Sequence, residues 1–378
     1  MRKFILCLSV LWSSSLLAQY SARFVVTSVA TRGNEDIYLS GTFNNWNPQD
    51  PQYKLKPFSG GRKSIVLINM APGNYAFKFS RGQNKQETTA DGRDIAERMI
   101  EINGDVSNEF VIEGWKDDYP EKPKAFTASP QVKLMDTAFA MPQLNTKRRI
   151  WIYLPKSYSG SDKKYPVLYM QDGQNLFNEK TAFAEEWGVD ECLDSLQGKG
   201  VKECIVVGID HGGSKRINEY NPYDHFQYGK GMGNEYLQFI TETLKPYIDS
   251  KYRTLKGRDY TYLAGSSMGG LISWYGQLKY ASVFGGGAVF SPSFWISPQI
   301  AVDAQQWDGM EMLRMYFYTG GKEEANAVND LNKIAGIMQK KKNAQIRTVV
   351  NPLAQHSEKY WRQEFASFYI WMSNNWKE

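Results

Sequence analysis

From residue 131 onward the chain alternates short apolar runs with segments whose apolar positions recur every three or four residues. The runs are "PVLYM", "CIVVGI", "YTYLAG", "GGAVFS", "RMYFYTG" and "IRTVVN". Continuous apolar runs of this length read as strands buried on both faces. Between them, helices are predicted near 182–197 and 234–249, from 268, near 325–341 and over 358–373. Phe239, Ile240, Leu244, Tyr247 and Ile248 share one face, as do Leu331, Ile334 and Met338, and Trp361, Phe365, Phe368 and Met372. "VKLMDTAFA" and "RRIWIYLP" are two earlier strands. The pattern predicts a mostly parallel sheet with helices on both faces, which binds ligands beyond the C-terminal ends of its strands.

Residues 19–113 follow a shorter period. "DIYLSGTF", "KSIVLINM" and "NYAFKFSRG" are rich in β-branched and aromatic residues and are separated by Gly, Asn and Pro. Tyr75, Phe77 and Phe79 alternate with Ala76, Lys78 and Ser80, as in a half-buried strand. A small all-β, immunoglobulin-like sandwich is expected here. Residues 114–130, charged and with three prolines, read as a linker to a domain over 131–378. Residues 1–18 open with Arg2 and Lys3, continue with an apolar run and end on Ala18, the layout of a signal peptide. The run is too short for a membrane span, and Cys7 stands too early in it for a lipid-modified residue. A periplasmic or secreted protein is expected.

Composition narrows the chemistry. Of 378 residues, 14% are aromatic and 22% charged, the balance of a well-filled globular chain. Without Arg2 and Lys3 the formal charge drops from +5 to +3. The one dense cluster, Lys340–Lys342, falls where a helix should end and complements its dipole, so no nucleic-acid surface is indicated. Cys192 and Cys204 remain beyond the leader, as a disulfide or as core thiols. No spacing suggests a zinc site. No metal or cofactor is expected.

In "LAGSSMGG" a buried strand passes into a helix, and Gly265-Ser266-Ser267-Met268-Gly269 fits G-x-S-x-G. Such a turn holds a nucleophile clear of the sheet and needs small residues two before and two after it. Gly265 and Gly269 meet that need for Ser267, whereas Ser266 would put Met268 in a small position. The helix N-terminus beneath supplies N–H groups for an oxyanion, the Met268 N–H first. A serine needs a base, and the order for this architecture is Ser, acid, His. Of the three histidines only His356 follows Ser267, in the loop after the last strand. Glu323 and Glu324 follow "RMYFYTGGK"; Glu323 is preferred as the acid, with Glu324 the alternative. The second oxyanion donor is assigned to the Gln174 N–H, after Gly173. The segment 211–233 and "SPSFW" are expected to roof the pocket, with Arg216 and Trp295 as substrate contacts. Arg216 and Glu219 could instead pair to hold that loop.

These pieces together resemble the esterase D group of α/β-hydrolases, which includes feruloyl and acetyl-xylan esterases, mycolyltransferases and enterochelin esterases. "YMQDGQNLFN", "VVGIDHGGSKRINEY", "GSSMGG", "SPSFW" and "YTGGKE" match in order over roughly 131–378. The resemblance implies an α/β-hydrolase fold and a triad of Ser267, Glu323 and His356. The N-terminal part is similar to starch- and glycogen-binding β-sandwich modules in "YLSGTFNNWNP", "APGNYAFKFSRG" and "DGRDIAERMI", which implies sugar stacking by Trp46. It departs at "NKQETT", where a partner tryptophan is missing. The expectation is an exported serine esterase acting on acyl or feruloyl esters of plant polysaccharides, with possible polysaccharide contact through the N-terminal module. The alternatives are a siderophore esterase and, from another class, a catalytically inactive carbohydrate-binding protein.

Overall fold

The computed structural model describes residues 19–119 and 123–376 and divides the chain into two compact units, 1–122 and 123–378. The signal-peptide reading and Cys7 lie outside the described residues. No helix among the described residues is long and apolar enough to cross a membrane.

The first unit is all-β. Its strands are β1 (Tyr20–Val29), β2 (Tyr38–Gly41), β3 (Lys56–Phe58), β4 (Arg62–Met70), β5 (Gly73–Ser80), β6 (Glu87–Thr88), β7 (Arg98–Ile102), β8 (Val106–Ile112) and β9 (Gly114–Trp115). They form sheets ordered β3-β4-β1-β8 and β2-β5-β7 and a β6-β9 pair. Phe24, Phe77, Phe79, Ile100 and Trp115 are buried in its core. Phe77 and Phe79 point inward as their alternation predicts, but Ser80 is buried as well, its hydroxyl bonded within the Ser80–Gly82 turn. In the segment that lacks the partner tryptophan, Glu87 is buried and ion-paired with Arg98.

The second unit opens with β10 (Val132–Met141), β11 (Thr146–Tyr153), β12 (Val167–Gln171) and β13 (Ile205–Ile209), followed by β14 (Thr261–Ser266), β15 (Gly286–Phe290), β16 (Leu313–Gly320) and β17 (Ala344–Asn351). Among the described residues these make one sheet ordered β10-β11-β13-β12-β14-β15-β16-β17. β10 and β11 run antiparallel; β13 through β17 pair in parallel, as expected. Its helices are α1 (Val189–Gln197), α2 (Arg216–Tyr220), α3 (Gly233–Gln238), α4 (Lys245–Lys251), α5 (Met268–Lys279), α6 (Ile300–Gln306), α7 (Ala327–Gln339) and α8 (Glu358–Ser373). A π-helical segment, Phe239–Leu244, joins α3 to α4.

Strands β12 to β15 are buried throughout. One face packs Leu263, Leu271, Trp274 and Phe317, the other Leu168, Met170, Phe290, Phe365 and Phe368. After β12 the chain adds β13 on one side and then crosses to β14 on the other. The loops leaving β12 and β14 therefore diverge at the C-terminal edge, the place where such sheets bind ligands.

Several expectations change. Of the expected linker 114–130, the described residues at either end are packed rather than free. Trp115 is in the core of the first unit, with Arg81 over its ring. Residues 124–129 lie along the second unit: Lys124 Nζ donates to the carbonyls of Ala182, Phe183 and Ala184, Thr127 Oγ1 to Glu186, and the Ser129 N–H to Asp190. Helix α1 starts only at Val189, because 182–188 is pinned as a loop by Lys124 and by Asn175 Oδ1, which accepts the Phe183 N–H. The segment 211–233 is not one open loop but carries α2 and a bridge between His225 and Gly229. Cys192 and Cys204 are free, and burial pushes their thiols up to about 11 and about 12.

Candidate active site

Ser267 sits between β14 and α5 with φ 56° and ψ −124°, a backbone conformation that serine rarely adopts and that costs about 1–3 kcal/mol. Ser266 is different: it is the last residue of β14, opposite Phe290 and buried. The glycines are required by contact. A Cβ on Gly265 would stand 2.6 Å from the Gly269 carbonyl oxygen, and one on Gly269 would stand 2.9 Å from Gln171 Cβ. Met268 is the first residue of α5, so its N–H has no intrahelical acceptor.

At the same edge of the sheet, His356 follows β17 and Glu323 follows β16. His356 Nδ1 lies 3.0 Å from Glu323 Oε2, and 3.9 Å from Oε2 of the exposed Glu324. The other Glu323 oxygen accepts the Ser291 hydroxyl and the Gly320 N–H, both at 2.6 Å. Burial alone would raise the Glu323 carboxyl. The hydrogen bonds from His356, Ser291 and Gly320 outweigh it and hold the group below its ordinary value. Trp361 Nε1 donates to Ser291 Oγ at 2.8 Å, and its ring meets the His356 ring edge-on with centroids 5.1 Å apart. Ser267 Oγ lies 3.1 Å from Ser293 Oγ, and among the described residues no hydrogen bond links it to His356.

The other predicted residues are placed as follows. Gln174 is buried in the turn Gly173–Asn175, which follows Asp172. Arg216 does not pair with Glu219. It donates Nε and Nη2 to the two carboxylate oxygens of Asp172 at 2.7 and 2.8 Å, while Glu219 forms a buried pair with Arg148 at 2.7 Å. Burial works against the Arg216 charge, but Asp172 outweighs it and raises its pKa. Trp295 is 53% exposed and flanks a cavity of about 100 Å³ with Phe294, Pro298, Asp330 and Lys333. In the first unit Trp46 is 37% exposed, with φ 58°. A larger cavity, about 990 Å³, opens at the opposite edge of the sheet between Lys163, Glu203, Tyr260 and Trp376, away from Ser267.

Glu323, Glu324 and His356 present donor atoms within 4.8 Å of one another, close enough to suggest a metal site. Both Glu323 oxygens, however, already accept hydrogen bonds. The set suits an acid–base pair better than a cation.

The family model Esterase, described as "Putative esterase", matches residues 141–372, well over half of the chain. The chain belongs to this esterase family. It is 33% identical over 154 residues to a Bacillus subtilis protein named "Uncharacterized protein YbbA", covering 39% of this chain and 58% of that one. It is 24% identical over 182 residues to an endo-1,4-beta-xylanase/feruloyl esterase of Xylanibacter ruminicola, covering 47% of this chain and 23% of that one. Thus it spans less than two thirds of either relative. The enterobactin esterase of Shigella flexneri shares the fold at 16% identity, TM-score 0.54, with 89% of this chain and 88% of that one covered.

In this member of the family, sequence alone assigned no individual role to Ser291, Ser293 or Asp172. Asp172, Ser267 and Ser291 each follow a parallel strand with positive φ, at 57°, 56° and 46°. No periodicity announces such positions. The polar residue directly after a buried apolar run was the one available signal.

Proposed function

We propose that this chain is an exported serine carboxylesterase that hydrolyses acyl or feruloyl esters of plant polysaccharides or their fragments. The observation that carries the reading is the Glu323–His356 hydrogen bond at the sheet edge that also bears the strained turn of Ser267. In the proposed cycle Ser267 Oγ turns from Ser293 toward His356 and attacks the ester carbonyl carbon, and His356 Nε2 takes its proton. Glu323 holds Nδ1–H and favours the imidazolium that forms. The N–H groups of Met268 and Gln174 hold the oxyanion. His356 then gives the proton to the departing alcohol. Water, deprotonated by His356, releases the acid from Ser267. Export rests on the leader pattern of residues 1–18. Sugar contact by the first unit rests on Trp46, whose backbone conformation accompanies a partly exposed indole.

A second reading, a siderophore esterase, is favoured by one observation: the enterobactin esterase fold covers 89% of this chain, both units included. The Arg216–Asp172 pair argues against it, since an anionic ligand needs a free cation. Turnover of p-nitrophenyl acetate and labelling by a fluorophosphonate probe, both lost in Ser267→Ala, test the esterase mechanism. Inert wild type in both assays would leave the carbohydrate-binding reading. Methyl ferulate, acetylated xylan and enterobactin compared side by side separate the substrates.

A further inference from the structure

Where the loops leaving β12 and β13 meet, a buried side-chain donor stands without a partner among the described residues, beside a half-buried histidine. Gln174 is 8% exposed. Its Oε1 accepts the His211 main-chain N–H at 3.3 Å, which turns the amide so that Nε2 is the free end. That Nε2 is fully buried and, among the described residues, unpartnered. Buried donors without partners are rare in folded proteins and call for an acceptor.

His211 itself is half-buried, and its Nδ1 accepts the Gly213 N–H at 2.9 Å. A ring nitrogen that accepts carries no proton, so neutral His211 carries its proton on Nε2. Burial lowers the His211 pKa and Arg216 and Arg148 add to that effect, while Asp172 and Asp210 oppose it. The neutral form is therefore favoured. The nearby cation is already engaged: Arg216 gives two N–H groups to Asp172. What this corner offers is uncharged donors.

We propose that Gln174 Nε2 and His211 Nε2 form a neutral donor pair that recognises an uncharged oxygen (hydroxyl, ether or ring oxygen) beside the scissile ester, so that His211 determines specificity. The inference rests on the esterase reading above. It names the substrate class as oxygen-rich neutral esters, such as acylated sugars, in preference to plain alkyl esters or polyanions.

The test uses the full chain and three esters. Methyl cinnamate lacks extra oxygens, methyl ferulate adds them on the acyl side, and a feruloylated arabinoside adds them on the alcohol side. In His211→Ala, kcat/KM for at least one oxygen-bearing ester should fall about 10-fold more than for methyl cinnamate, mainly through KM. The arm that falls identifies the side. His211→Gln, which keeps a side-chain N–H, should recover most of the loss, and thermal melting checks that both variants fold. If wild type is active and the ratios between esters do not change in His211→Ala, the donor pair is wrong while the esterase reading stands. If wild type neither turns over an ester nor reacts with a fluorophosphonate, both fall.

Discussion

Ser267 Oγ lies 3.1 Å from Ser293 Oγ, and the Ser293 N–H donates to the Ser267 carbonyl at 3.1 Å. The resting hydroxyl is thus held by a neighbour on the loop after β15, on a turn whose backbone is fixed by the same residue. Removing the Ser293 hydroxyl frees Ser267 to turn toward His356. A net hydrogen bond is worth about 0.5–1.5 kcal/mol, so Ser293→Ala should label with a fluorophosphonate about 2–10-fold faster. An unchanged or slower rate would show that Ser293 does not restrain the nucleophile.

Glu323 and Glu324 are adjacent in sequence but unequal in space. Glu323 is buried on His356, whereas Glu324 is exposed at 3.9 Å. Glu323→Gln should lower kcat by about 10²–10⁴, because the imidazole loses its orienting carboxylate. Glu324→Gln should change kcat less than about threefold, as expected for an exposed side chain off the hydrogen-bond chain. Steady-state kinetics on p-nitrophenyl acetate decides between them.

The same carboxylate gives stability a direction with pH. Its folded pKa lies below the ordinary value, so the unfolded chain takes up the proton first. Its contribution is complete above the unfolded value, about 4.3, and is lost as pH falls through the lower folded value. Wild type should lose thermal stability below about pH 4, and Glu323→Gln should lose less over that window. Parallel melting curves for the two proteins check this.

Gly265→Ala should be poorly tolerated. Its methyl would stand 2.6 Å from the Gly269 carbonyl and 2.8 Å from Gln171 Cγ. Pushing strand and helix apart there should cost about 1–3 kcal/mol and shift the Met268 N–H from the oxyanion position. Urea unfolding and kcat should both register the change. Ser266→Ala, with Ser266 at the end of β14, should keep turnover within about threefold.

The parts of the fold set by local periodicity were legible. The last helix was expected over 358–373 and lies at Glu358–Ser373, because Trp361, Phe365, Phe368 and Met372 make an unbroken stripe. The central parallel strands were legible because burial on both faces fills them mainly with apolar residues. Where contacts distant in sequence decide, reading failed. Arg216 and Glu219 are three apart, yet one reaches Asp172 and the other Arg148. Strand β9 is two residues long, too short to show a period, although Trp115 is wholly buried. Ser291 links Trp361 to Glu323 across the fold, and nothing near it in the chain foretells either partner.

The three carbonyls gathered by Lys124 bear on how this second unit can be moved between proteins. Its ammonium uses all three protons on Ala182, Phe183 and Ala184, and Thr127 and Ser129 meet the buried acids Glu186 and Asp190. A recombination junction placed at residue 131 would strip these partners and leave two buried carboxylates uncovered. A junction at residue 123 carries the strap along, so the transferable module begins nine residues before its first strand.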